Sequence, residues 1–362
     1  MAKILILTNN DVGLYNFRRE LVENLTNNHE VIISMPDGKF TDFFAGIGCK
    51  VINTHLNNRG TNPLEDFKLY KEYRKIIKYY SPEVVLTYTI KPNIFGGFAS
   101  RFNNVPYIAN ITGLGSAVEN KGPLKILTTN LYKFALKKAK KVFFQNESNL
   151  EFFLSNKIVN GNTSLLPGSG VNLKYYTPQI YPESETVNFL FVARIMKEKG
   201  IEQLLEAAKV IRVKYPQTRF HVVGPCDEDY SNILKELEQK SIIIYHGFQY
   251  DLREFYRNSH CIIHPTYYPE GMSNVLLESA ASGRPIITTN RPGCKEIVDD
   301  TVNGYLIKEK ISADLIEKIE LFLKLDLNNR KHMGLKGREK VQKFFDRDII
   351  VNSYLKEVAD IE

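Results

Sequence analysis

Short apolar runs of strand length alternate with helix-period segments along this 362-residue chain, and the alternation breaks once and then restarts. The first series has strand-like runs at Lys3–Leu7, Glu30–Ser34, Lys50–Asn53, Val84–Tyr88, Tyr107–Asn110 and Lys141–Gln145. Helix-like segments near Phe17–Leu25, Phe40–Phe44, Pro63–Tyr79 and Asn93–Phe102 separate them, as does a lysine-rich one before Lys141. Strands that alternate with helices in this way build a parallel, doubly wound sheet. Thr163–Leu166 would close the first half. Residues 167–185 are rich in Gly, Pro, Ser and Tyr without periodicity, which suits a linker. The pattern resumes with a strand at Asn188–Ala193, a helix at Gly200–Tyr215, a strand at Arg219–Val223 and a helix at Ser231–Gln239. It continues through Cys261–His264, Ser273–Ser282 and Pro285–Thr289. The expectation is an α/β chain of two Rossmann-like domains, residues 1–168 and 187–345. A linker at 169–186 joins them, and a last helix lies within 346–362.

Composition excludes several classes. The chain is 43% hydrophobic and 25% charged, which is globular rather than disordered. No apolar run approaches the ~20 residues that span a bilayer. The opening Met-Ala-Lys-Ile-Leu-Ile-Leu reads as a core strand, not a signal peptide, so a cytoplasmic protein is expected. Cys49, Cys226, Cys261 and Cys294 form no Cys-x-x-Cys pair, which argues against disulfides and structural zinc. His260 and His264 flank an apolar run ending at Pro265 and read as core or loop residues.

The net charge of +7 is unevenly spread. Residues 121–141 hold seven lysines and no acid. Lys133, Lys137 and Lys141 recur at helical spacing, while Leu127, Leu131 and Phe134 form another stripe. This predicts a basic amphipathic helix, and Lys133, Lys137, Lys140 and Lys141 are candidates to meet an anionic membrane surface. Lys68, Lys71, Arg74, Lys75 and Lys78 form a second basic stretch. No aromatic–basic module accompanies these charges, so nucleic acid is not an expected partner.

Residues 264–285 carry the chemistry. Glu270 lies in a strand-to-helix loop, and Glu278 lies about two turns into the following helix. The turn Gly271-Met272-Ser273-Asn274, with Val275 after it, puts backbone N–H groups at a helix N-terminus, where anions bind. Arg194 and Lys199 stand in Val192-Ala193-Arg194-Ile195-Met196-Lys197-Glu198-Lys199-Gly200, between a strand and a helix. Two cations there suit a diphosphate leaving group. In the first half, Asn9 to Arg18 follows strand one, with Gly13 allowing close backbone approach. Asn110-Ile111-Thr112-Gly113-Leu114-Gly115 follows a later strand.

The E-x7-E spacing, the Arg-x4-Lys-Gly element, Phe220-His221-Val222-Val223-Gly224, His246-Gly247-Phe248 and Pro292-Gly293-Cys294-Lys295-Glu296-Ile297-Val298 together resemble the family 4 retaining glycosyltransferases. The resemblance spans the chain and is strongest from about residue 187 to 310. It implies the GT-B architecture: two Rossmann-like domains, an interdomain cleft holding the site, and a C-terminal helix that crosses back to the first domain. It implies a UDP-sugar substrate and no cofactor or metal. It also implies retention of anomeric configuration, with Arg194, Lys199 and Glu270 serving catalysis. Glu278 is assigned to the ribose, Glu270 to the donor sugar, and Gly247 and Phe248 to the base. Gly13, Gly271, Met272, Ser273, Asn274 and Val275 complete the donor side. With no evident covalent nucleophile, front-face attack is expected, the donor phosphate taking the acceptor proton.

Many members carry a His at about Thr112, and this chain has none. The Thr-Gly-Leu-Gly version, with Asn16-Phe17-Arg18, resembles the capsule and lipid-linked-oligosaccharide subgroup. That subgroup includes N-acetylgalactosaminyltransferases acting on diphospho-undecaprenol acceptors. Asn16, Arg18, Thr112 and Gly113 are accordingly placed on the acceptor side, and the enzyme is expected at the cytoplasmic membrane face. Asp227-Glu228-Asp229 contains Asp-x-Asp, the metal motif of a different glycosyltransferase fold, here in a loop where no metal role is expected. Two rivals share the fold or the ligand: a UDP-sugar 2-epimerase and a non-catalytic nucleotide-sugar-binding subunit.

Overall fold

The structure is a computed structural model and describes residues 1–56, 62–113 and 122–361. It divides into two compact units, each built on one parallel sheet. The first comprises residues 1–170, 269–272 and 347–362; the second comprises 171–268 and 273–346.

In the first unit, β1 (Lys3–Leu7), β2 (Glu30–Met35), β3 (Lys50–Asn53), β4 (Val84–Tyr88), β5 (Tyr107–Ile111), β6 (Lys141–Phe144) and β7 (Thr163–Leu165) line up in the order 3-2-1-4-5-6-7. The connecting helices are α1 (Asp11–Thr26), α2 (Thr41–Gly46), α3 (Pro63–Tyr80), α4 (Gly97–Phe102), α5 (Pro123–Leu136) and α6 (Glu147–Ser155). Alternate strand residues point to opposite faces. Leu5, Leu7, Ile32 and Val85 pack into one core; Ile4, Ile6, Ile33 and Leu86 pack into another. Helix starts are set by side-chain caps, Asn10 accepting from Gly13 N–H and Asn146 from Asn149 N–H.

The second unit orders β8 (Val187–Val192), β9 (Thr218–Val223), β10 (Ile244–Tyr245), β11 (Cys261–His264), β12 (Ile286–Thr289) and β13 (Gly304–Ile307) as 10-9-8-11-12-13. Helices α7 (Ile201–Lys214), α8 (Ser231–Gln239), α9 (Arg253–Asn258), α10 (Asn274–Ala281), α11 (Ser312–Lys324) and α12 (Leu327–Phe344) cover it. The final helix, α13 (Arg347–Ala359), belongs to the first unit. Tyr354 is buried against Phe143, with ring centroids 4.8 Å apart, and its hydroxyl accepts from Asn110 Nδ2 at 2.6 Å. The expected return of the last helix to the first domain is therefore observed.

The lysine-rich segment needs correction. The helix ends at Leu136, so Lys137 and Lys140 lie beyond it, and Lys141 opens β6. Lys141 Nζ pairs with Glu357 at 2.9 Å, so it belongs to no exposed helical stripe. Leu127 and Phe134, expected on an apolar stripe, are exposed; Thr128, Tyr132, Ala135 and Leu136 form the buried face. Asn93–Phe102, expected as one helix, is a π-helical turn at Pro92–Gly96 running into α4.

Candidate active site

In an open doubly wound sheet, ligands bind beyond the carboxyl ends of the strands where the strand order reverses. The second unit's sheet reverses between β8 and β11, which pair at Cys261↔Phe189 and Ile262↔Leu190. The loops that follow those two strands are the ones carrying Arg194 with Lys199 and Glu270 with Ser273. Gly200, at φ 79°, lets them approach: a Cβ there would lie 2.2 Å from the Pro265 carbonyl oxygen. Thr266 Oγ1 and Tyr267 N–H both donate to the Glu198 carbonyl, at 3.3 and 2.8 Å.

Arg194 Nη1 pairs with Asp227 Oδ2 at 2.9 Å, and its guanidinium also lies over the Tyr268 ring. Burial works against the Arg194 charge, but Asp227 and Tyr268 outweigh it and raise the pKa. Lys199 is 9% exposed, with Nζ 4.5 Å from the Tyr268 centroid. Burial, reinforced by the Lys199 charge, pushes His264 down to about 3. A neutral His264 thus sits beneath this cation, its Nε2 3.3 Å from Ser273 Oγ. Asp227, considered above for its Asp-x-Asp spacing, is the ion-pair partner of Arg194.

The turn into α10 is more specific than its sequence. Ser273 N–H donates to the Gly293 carbonyl at 2.8 Å, so it is already used. The amides of Asn274 and Val275, in the first turn, have no acceptor within the helix. The Met272 side chain is buried, leaving only its backbone to contribute. Glu278 is half-buried, and its Oε2 accepts from Tyr256 O–H at 2.9 Å. Gly247, at φ 64°, turns the chain in open space, and Phe248 beyond it is 53% exposed. His246 stacks on His221, with Nε2 3.0 Å from His221 Nδ1.

Within the first unit, Asn146 Nδ2 donates to the carbonyls of Glu270 and Gly271, at 3.2 and 2.6 Å. A Cβ on Gly271 would lie 2.0 Å from the Thr112 carbonyl oxygen and 2.5 Å from Gln145 Oε1, so only glycine fits. Thr112 and Gly113 thus lie against the backbone of residues 269–271. Leu114 and Gly115 lie outside the described residues. Asn16 is exposed, and its carbonyl accepts from Arg347 at 2.8 Å. Arg18 is buried, its guanidinium against the rings of Tyr88 and Tyr354. Gly13 lies in the first turn of α1, against the capping Asn10. Sequence reasoning missed Tyr256, Asn146, Gln145 and Tyr268. Only Tyr268 carried a local signal, its place between the strand and Glu270.

Residues 178–340 match the family model described as glycosyl transferases group 1, and residues 3–146 match the glycosyl transferase 4-like model. The chain belongs to the family 4 glycosyltransferases. This glycosyltransferase is 29% identical over 376 residues to the Campylobacter jejuni N,N'-diacetylbacillosaminyl-diphospho-undecaprenol alpha-1,3-N-acetylgalactosaminyltransferase; the match covers 98% of this chain and 97% of that one. It is 24% identical over 269 residues to an Escherichia coli UDP-Gal:alpha-D-GlcNAc-diphosphoundecaprenol alpha-1,3-galactosyltransferase, covering 69% and 68%. Its fold is that of a solved glycosyltransferase from Rickettsia africae, with a TM-score of 0.82 at 21% identity, covering 99% and 98%. Anabaena HepE, solved in complex with UDP-glucose, gives 0.80 at 18%, covering 99% and 100%. The GT-B expectation and the glycosyltransferase expectation both hold.

Proposed function

We propose that this glycosyltransferase moves a sugar, best assigned as an N-acetylhexosamine such as N-acetylgalactosamine, from a UDP donor to a glycan carried on polyprenyl diphosphate. The configuration is retained, and no metal or cofactor takes part. The observation that carries the donor half is the coincidence of the Arg194–Lys199 and Glu270–Ser273 loops with the strand-order reversal of the second sheet. The acceptor half is supported by the full-length relative, whose name describes transfer to a diphospho-undecaprenol-linked sugar.

In this reading Arg194 and Lys199, with the free amides of Asn274 and Val275, bind the diphosphate and stabilise its charge as the glycosidic bond breaks. Asp227 gives up Arg194 to the incoming phosphate. Glu278, oriented by Tyr256, takes the ribose hydroxyls. Glu270 takes hydroxyls of the transferred sugar, its backbone fixed by Asn146. Gly247 and Phe248 frame the base. The acceptor hydroxyl attacks from the face the diphosphate leaves, and its proton passes to the departing phosphate oxygen. Thr112, Gly113 and Asn16 line the acceptor side, which Arg18 supports from beneath. Exposed Lys133, Lys137 and Lys140 draw the enzyme to the anionic cytoplasmic face of the membrane.

Incubation with UDP-N-acetylhexosamines, with and without a polyprenyl-diphosphate-linked glycan, tests this. UDP release should depend on acceptor, which should gain one sugar in mass. Acceptor-independent conversion of the nucleotide sugar would instead establish an epimerase.

A further inference from the structure

Tyr268 lies in the loop after β11, and none of the assignments above uses it. Its ring centroid is 5.4 Å from Arg194 Cζ and 4.5 Å from Lys199 Nζ. Those distances cap the separation of the two cations at about 10 Å, a span over which salt screens little between partly buried charges. Two like charges held that close repel each other; Asp227 offsets this for Arg194, and the Tyr268 ring faces both cations. An aromatic face attracts cations through its quadrupole. The ring adds no charge of its own, whereas a second carboxylate beside Asp227 would compete with a bound diphosphate.

The ring is presented by a pinned backbone. Tyr268 N–H donates to Thr266 Oγ1 at 3.1 Å, and its carbonyl accepts from Arg291 Nε at 3.0 Å. Arg291 is itself paired with Glu309 at 3.1 Å. The preceding residue, Tyr267, is tied to the Glu198 carbonyl, in the same loop as both cations. Position 268 is thus fixed relative to Arg194 and Lys199 by contacts on either side.

We propose that Tyr268 is a positioning residue whose ring seats Arg194 and Lys199 for the donor diphosphate. The role rests on the UDP-sugar reading above. It predicts that the ring serves the phosphates and not the nucleoside. Equilibrium binding of UDP and of uridine to the wild type, Tyr268→Phe and Tyr268→Leu tests it. Tyr268→Phe keeps the face but loses the hydroxyl that also acts on Arg194, and should bind UDP within about threefold of wild type. Tyr268→Leu fills the space without a face and should weaken UDP about tenfold, the scale of a partly desolvated cation–π contact. Uridine should bind all three alike. Wild-type UDP affinity in Tyr268→Leu, or an equal loss of UDP and uridine, would overturn the role. Failure of the wild type itself to bind UDP would overturn the donor reading, a result distinct from any effect of the variants.

Discussion

Glu278 and Glu270 stand eight positions apart and are held in different ways. The Glu278 carboxylate is oriented by Tyr256, while Glu270 is placed through its own backbone carbonyl. Replacing Glu278 by Ala should therefore weaken UDP, by roughly 1.5–3 kcal/mol for a lost charge-assisted hydrogen bond. Glu270→Ala should leave UDP affinity near wild type and lower turnover. Calorimetry with UDP, beside steady-state rates, separates the two, and unchanged UDP affinity in Glu278→Ala would sink the ribose assignment. The two glutamates and two cations were legible in the sequence because their spacing is local. Tyr256, Asn146 and Gln145 were not, since each acts on residues 22 to 126 positions away and no short pattern encodes such a contact. Gly271 reads as a turn residue in sequence; its actual constraint is a Thr112 carbonyl from a distant strand end.

At the scale of elements, β-strands were the most legible feature, because parallel strands buried on both faces are short, continuous apolar runs. Lys3–Leu7, Val84–Tyr88 and Cys261–His264 lie where the runs predict, and so does Lys50–Asn53, although it is an edge strand with exposed ends. Helices were less so. The segment before Lys141 kept its lysine periodicity past the point where the backbone leaves the helix, so charge spacing misplaced the end. Helices α6, α11 and α12 and strand β13 went unrecognised. The end of β11 makes a testable prediction. His264 is fully buried and neutral, with a pKa near 3 against about 6.5 in an unfolded chain. Below pH 6.5 the unfolded chain therefore binds a proton that the folded one does not, and stability falls as pH falls. The expected slope is on the order of 1 kcal/mol per pH unit between pH 6.5 and about 4. Urea midpoints of the wild type and His264→Gln at pH 6.5 and 5 check this. The variant should be the less pH-sensitive, and parallel curves would contradict it.

For the whole molecule, the restart of the strand–helix pattern after residue 185 announced two sheets. The stretch before it was legible only as aperiodic. Its order comes from side chains elsewhere in the second unit: buried Arg284 donates to the carbonyls of Gln179 and Ile180, and Arg338 donates to that of Tyr176. Among the described residues no helix is long and apolar enough to cross a membrane. The proposed attachment rests on the exposed lysines Lys133, Lys137 and Lys140. Each exposed lysine near an anionic surface contributes about 1 kcal/mol, reduced by salt. Changing Lys133, Lys137 and Lys140 to Ser should release the enzyme from anionic liposomes in flotation at low salt while sparing turnover on a short soluble acceptor. Equal flotation would make these lysines an ordinary solvated surface. Lys141 is left unchanged, because its bond to Glu357 is structural. The central claim is that Arg194 and Lys199 do the work of a metal while the sugar is transferred with retention. It is tested most directly by transfer from a UDP-α-sugar in excess EDTA, with the anomeric configuration of the product read by NMR. The account predicts undiminished transfer and an α-linked product. Loss of activity restored by manganese, or a β-linked product, would contradict it.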